Sequence, residues 1–299
     1  MSLPPSSNLS LHPPPPSLAL ILTCSEVTLG THLFAAASCT YLLVFLPLSV
    51  FILHLGLQKR RGLHPAATSN TDFFAYNIIL IEVIAVLGCC FYLGGAYTYI
   101  LKIKLVGNYF FFILIPAQSL FHVLTCLERY LAVIHPVFYL SLRISGGVKL
   151  RNVSTGLVWG ISCGWLGLMH TYRPVVPVIP IIAILIFSVA ATLFFSLAVL
   201  LALIRPGPGA GTGERADRLK RRAFHTIVVI TGVVLLRLSG TMCCILLSAA
   251  LKNNCTVLLS LIWFCLPSSY VLPLLFLHRA GKLPCFKYDT VGSEEREQP

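Results

Sequence analysis

The stretch LIPAQSLFHVLTCLERYLAVIHPV, residues 114–137, is apolar until Glu128, Arg129 and Tyr130 and runs out at His135-Pro136-Val137. It lies in an apolar window of about 106–134, longer than the roughly 20 residues a helix needs to cross the hydrocarbon core of a bilayer. The charged pair at its end, followed by a proline, marks where such a helix would leave the membrane.

Working outward, windows of the same kind run over about 33–57, 73–100, 153–171, 176–204, 223–250 and 256–278, with ends good to a few residues. The sequence therefore predicts seven spans in an all-α, polytopic membrane protein. The fourth window is short and Gly-rich. Composition agrees: 57% of the 299 residues are hydrophobic and 11% charged, with a mean hydropathy of +0.85. A soluble domain carries about 25% charged residues. So few charges cannot cover a water-facing surface, so the apolar excess is expected to face lipid. A soluble enzyme, a nucleic-acid binder and a disordered chain are disfavoured together. The +12 net charge reads as basic loops rather than a nucleic-acid surface.

Those loops set the expected orientation. Lys59, Arg60 and Arg61 follow the first window, and Arg143, Lys149 and Arg151 follow the third. Arg205, Arg215, Arg218, Lys220, Arg221 and Arg222 follow the fifth, in a Gly/Pro-rich and then basic loop. Arg279, Lys282, Lys287 and Arg296 follow the seventh. The other side holds only Lys102, Lys104, Arg173 and Lys252. The positive-inside rule puts the N-terminus outside a plasma membrane and the C-terminus in the cytoplasm. Residues 1–31, Pro-rich through Pro13–Pro16, read as a disordered external leader; 32–288 form the helical domain and 289–299 a short tail. Asn8 and Asn254 head glycosylation sequons on the outer side.

Four acidic or strongly basic residues fall within the windows: Glu82, Glu128, Arg129 and Arg237. Such groups are costly and usually functional. Burying Glu82 or Arg237 alone costs about several kcal/mol, whereas pairing compensates both. The two are expected to meet, directly or through water; the other arrangement has Glu82 protonated and Arg237 bonded to carbonyls of the seventh helix.

The run Glu128-Arg129-Tyr130 through Pro136 at the inner end of the third of seven spans resembles the rhodopsin-like (class A) G-protein-coupled receptors. Asn77 and Glu82 resemble that family's Asn and acidic residue of helix two, Trp159 its helix-four Trp, and Pro273 with Phe276 a reduced Asn-Pro-x-x-Tyr motif. The resemblance covers roughly 33–288. It implies a receptor relaying an extracellular ligand to a heterotrimeric G protein, with Glu128, Arg129, Tyr130, Pro136 and Val137 at the coupling end. It also implies a polar network of Asn77, Glu82, Arg237, Pro273 and Phe276, a short amphipathic eighth helix from Arg279 to Phe286, and Cys285 as a candidate palmitoylation site.

The departures are specific. Arg237-Leu238-Ser239-Gly240 stands where the family shows Cys-Trp-x-Pro, and Pro47 where it shows Asn. The family's disulfide has no matching cysteines; Cys24 and Cys255 either join the leader to the third outer loop or stay two free thiols. Lys220-Arg221-Arg222 occupies the foot of helix six, where relatives hold an acid that latches the triplet's Arg. A looser resting state with basal signalling is the expectation.

Ligand pockets in the family lie among the outer halves of helices three, five, six and seven. Phe111 stands where amine receptors carry Asp, so a biogenic amine is not expected. Tyr97, Tyr99 and Phe111 suggest an apolar, aromatic pocket. Lys104 and Arg173 at its mouth either favour an anionic ligand or lipid, or simply keep the loops solvated. Gly160-Ile161-Ser162-Cys163-Gly164 matches the G-x-S-x-G pattern of hydrolases, but within an apolar helix and with no base to place beside it, so no enzyme is expected. Gly156, Gly160 and Gly164 instead form a small-residue face for packing within the bundle or for a homodimer. The eleven Cys show no paired CxxC spacing, so neither metal nor cofactor is expected. A transporter or channel using Glu82 and Arg237, or a receptor that binds without signalling, is the alternative function.

Overall fold

The computed structural model describes residues 28–62, 70–171, 178–204, 214–250 and 255–279, and every regular element among them is helical. Helix α1 (Thr28–Thr40) passes through a π-helical turn, π1 (Tyr41–Phe45), into α2 (Leu46–Gly62). Then follow α3 (Asn70–Tyr97), α4 (Leu101–Ile134), the short α5 (Pro136–Ser145), α6 (Gly147–Thr171), α7 (Val178–Ile204), α8 (Glu214–Ala250) and α9 (Cys255–Arg279).

Each sequence window falls on one of these rods, but not every rod is a membrane span by length and apolarity. Among the described residues five stretches qualify: Leu29–Gly56, Phe73–Tyr97, Leu101–Ile134, Ile179–Ile204 and Phe224–Leu247. Helix α6, on the fourth window, does not, and in α9, on the seventh, the described apolar stretch is the shorter Ile262–Val271. In α6 the first turns carry Lys149, Arg151, Asn152 and Ser154, which dilute the apolar run. The structure thus supports five candidate crossing helices where the sequence windows suggest seven. A second difference lies before the sixth window: α8 starts at Glu214, so Arg215–Arg222, expected in a loop, is helical.

Chain chemistry accounts for the punctuation. Pro47 lacks the N–H that would continue the α-helical ladder. Just ahead of it the backbone N–H of Leu46 bonds Tyr41 O, five residues back, and this wider turn aims Tyr41 inward, where it is buried. Pro136 opens α5 at a position whose N–H would have no partner anyway.

Helices α3 and α4 pack backbone to backbone. A Cβ on Gly107 would lie 2.2 Å from Tyr92 N and 2.6 Å from Gly88 O, and one on Gly95 would lie 2.3 Å from Lys104 N. The expected glycine face of α6 behaves differently. Gly156, Gly160 and Gly164 have open space where a Cβ would sit and are exposed, so they do not pack within the bundle. One continuous core runs between α3, α4, α6, α7, α8 and α9, with Ile81, Leu114, Phe121, Trp165, Leu185 and Leu238 among its most buried members.

Candidate functional site: a buried ion pair held by five elements

Glu82 on α3 and Arg237 on α8 are 1% and 4% exposed. Arg237 Nη1 lies 3.3 Å from Glu82 Oε1, so the structure brings the two together directly. In a low-dielectric interior each charge carries a desolvation penalty of about several kcal/mol, which the pair offsets only if the remaining donors and acceptors are also met. They are met by neutral side chains. Ser269 Oγ donates to Glu82 Oε1 at 2.6 Å and Tyr41 Oη to Glu82 Oε2 at 3.1 Å. Gln118 Nε2 also donates to Glu82 Oε1. Arg237 Nη1 donates to Ser268 Oγ at 3.1 Å, and Ser268 Oγ donates on to Cys265 O at 2.9 Å. Residues of π1, α3, α4, α8 and α9 therefore converge on one carboxylate. Tyr270 Oη adds a bond to Thr40 O at 3.0 Å, tying α9 to the end of α1 just ahead of the π turn.

Pro273, one turn after Ser269, is buried; the side chain of Phe276 lies outside the described residues. Asn77 does not join the cluster. It sits five residues from Glu82, about 140° round the helix, and accepts from Trp159 Nε1 at 3.2 Å while donating to Phe73 O at 2.9 Å. The expectation of a single network including Asn77 is corrected on that ground. Tyr41, Gln118, Ser268 and Ser269 were not expected at the site. The signal in the sequence was a neutral polar residue within an apolar window, which is individually weak because serines in such helices usually bond their own backbone, as Ser162 does to Val158 O at 2.7 Å.

At the end of α4, Glu128 is buried and accepts a bond from Tyr139 Oη of α5 at 3.1 Å. Arg129 is half-buried. The Tyr130 ring packs against Phe195, His135 and Phe194 at centroid distances of 5.3, 5.7 and 6.0 Å. Beyond Pro136, Val137, Phe138 and Leu140 are exposed on α5.

Among the described residues, the expected ligand-pocket members Tyr97, Tyr99, Phe111 and Lys104 do not gather. Tyr97 and Tyr99 are exposed, Tyr99 in a left-handed turn with φ of 58°. Phe111 packs edge-on against Phe34 and Phe112. Lys104 does not line a mouth: it is buried against α3, with Nζ 5.4 Å from the centre of the Tyr92 ring. Its long aliphatic stem accounts for this, lying along the close α3–α4 seam. Arg173, Asn8, Asn254, Cys24, Cys285 and the side chain of Cys255 lie outside the described residues. Among the described residues Cys39, Cys89, Cys90, Cys126, Cys163, Cys243, Cys244 and Cys265 are free, and no group of three or more metal-ligating side chains is present.

Compared with known proteins, the chain matches no family model and no curated sequence. The geometry alone defines the site: a buried ion pair tying five elements, and a Glu-Arg-Tyr end on α4 braced by α5.

Proposed function

We propose that the protein is a seven-helix membrane receptor of the rhodopsin-like kind, passing an extracellular signal to a heterotrimeric G protein. The observation that carries this reading is the end of α4. There buried Glu128 is held by Tyr139, Arg129 follows at half burial, and α5 presents Val137, Phe138 and Leu140 outward beside them. Val137, Phe138 and Leu140 give the helix that follows the Glu-Arg-Tyr end an exposed apolar surface, suited to a protein partner. Helices α6 and α9 supply the fourth and seventh crossings. At 25 residues each they are about 37 Å long, more than the roughly 30 Å of hydrocarbon they must traverse.

Signalling in this reading is a population shift between two packings of the bundle. The Glu82–Arg237 cluster stabilises the packing in which π1, α3, α4, α8 and α9 converge. A ligand that favours another packing must pull α8 away from Glu82, and the Arg129 end would then open to the G protein. Lys220, Arg221 and Arg222 provide no acid to hold Arg129, so basal output is expected. Second-messenger output in cells expressing the wild type should exceed that of mock-transfected cells and fall to the mock level in Arg129→Ala at equal surface expression. Output that never exceeds mock for either protein argues against signalling.

A transporter is the second reading, and one observation favours it. Gln118 Oε1, His122 Nε2, Ser188 Oγ and Thr192 Oγ1 are buried without hydrogen-bond partners, and unpaired buried polar atoms of this kind commonly hold water. Proton or ion flux in proteoliposomes that vanishes in Glu82→Gln would support that reading; absence of flux would leave the receptor.

A further inference from the structure

A cavity of about 140 Å³ lies between α4, α5 and α6 and reaches Phe74 of α3. Its walls are Phe74, Leu124, Leu127, Leu131, Leu142 and Leu150, with Glu128, Tyr139 and Arg151 at its polar edge. Leu150 is exposed and stands at the rim. The cavity is partly open to the surface, with Ser154 also in its lining, and a ring seated in it would cover its exposed leucine and phenylalanine wall and gain dispersion contacts there. We propose that this cavity is a binding site for an uncharged, ring-sized apolar molecule.

The two charges in the wall set the sign of that chemistry. Glu128 and Arg151 are opposite in charge and both buried. Glu128 accepts from Tyr139, and the Arg151 guanidinium lies 4.3 Å from the centre of the Phe73 ring. A ligand bringing its own charge would add a third buried charge beside a pair already engaged, at a desolvation cost that nothing in the apolar remainder offsets. A neutral ring adds only dispersion contacts and buried apolar area. Its occupancy has a mechanical consequence. Helix α5 is ten residues long, and three of its apolar side chains face outward. A ring seated between Leu142, Leu131 and Leu150 would fix α5 against α4 and α6 and reinforce the Tyr139–Glu128 bond. The binding itself does not depend on the receptor reading, since it concerns only the cavity.

The test is photolabelling of the purified full chain in detergent with an uncharged benzyl diazirine, located by peptide mass spectrometry. Labelling of residues 124–131 and 139–154 is expected to saturate and to be competed by benzyl alcohol but not by benzoate. It should fall at least about tenfold, the loss of roughly one good apolar contact set, in Leu142→Trp and in Ser154→Phe, which fill the cavity from α5 and α6. Thermal midpoints of both variants without probe report folding. Labelling that does not saturate in the wild type, or benzoate competing as well as benzyl alcohol, overturns the proposal. Equal labelling in a folded cavity-filled variant does the same.

Discussion

Glu82 lies at the centre of the buried cluster, on α3 with its carboxylate 1% exposed. It accepts from Tyr41, Gln118, Ser269 and Arg237, and its removal strands a buried guanidinium. Breaking a buried pair from one side costs about 3–5 kcal/mol, whereas replacing both partners by apolar groups of similar volume is often near neutral. Arg237→Met alone should therefore lower the thermal midpoint in detergent sharply. The double variant Glu82→Leu with Arg237→Met should recover most of the loss. If the double variant is as unstable as the sum of the singles, the two side chains do not act as a pair. Tyr41→Phe removes the hydroxyl that bonds both Glu82 and Ser269 and should cost at least about 1.5–3 kcal/mol, the worth of a hydrogen bond to a charged group, with folding otherwise intact by circular dichroism. The ionisable members of this cluster could be found from residue type alone, because charges in an apolar window are rare. Tyr41, Gln118, Ser268 and Ser269 could not, because a neutral polar residue in a helix has its own backbone as a competing partner.

At the scale of elements, glycine separates the two kinds of helix contact. In the α3–α4 pair, Gly107→Ala puts a methyl group 2.2 Å from Tyr92 N, and backbone cannot move aside as a side-chain tip can. Expression or thermal stability should drop by an amount typical of overpacking, about 1–3 kcal/mol. Gly160→Ala enters open space and should match or exceed the wild type, since Ala is about 1 kcal/mol the better helix former. Paired melting curves of the two variants decide the matter; equal destabilisation would contradict the packing described. For packing within the bundle, the glycines that matter are not the ones the sequence pattern marks. Gly156, Gly160 and Gly164 have the regular spacing, while Gly88, Gly95 and Gly107 lie on two helices and acquire their meaning only when those helices meet. Likewise the helical start of α8 at Glu214 was hidden, because a basic, Gly/Pro-preceded segment reads as a loop until the apolar helix behind it extends through it.

For the molecule as a whole, the cluster couples one end of the chain to the other: Tyr41 lies near the start of the described residues and Ser269 near their end, with their oxygens 2.5 Å apart. Loosening it should be felt across the bundle. Cys265, buried on α9 one turn before Ser269, is expected to react slowly with a membrane-permeant maleimide in the wild type and several-fold faster in Arg237→Met. The exposed Cys243 and Cys163 should react at unchanged rates. Uniform acceleration of all three would mean global unfolding rather than a local opening of the helix contacts.

Apolar windows, the basic bias of alternate loops and the charges inside the windows are properties of the chain read in one dimension. They depend on hydrophobic length and local residue type, and they sufficed for an all-helical protein built of apolar rods and for the candidacy of Glu82 and Arg237. Which side chains face one another is set by helix rotation and by the order of packing around the core, neither of which a single helical period encodes. Only the tertiary structure decided that Asn77 turns to Trp159 and away from Glu82, that Lys104 is buried rather than at a rim, and that a π turn ahead of Pro47 delivers Tyr41 to the ion pair. Each of these follows from contacts between segments far apart in the chain, where the free energy of burying a polar group depends on what meets it there.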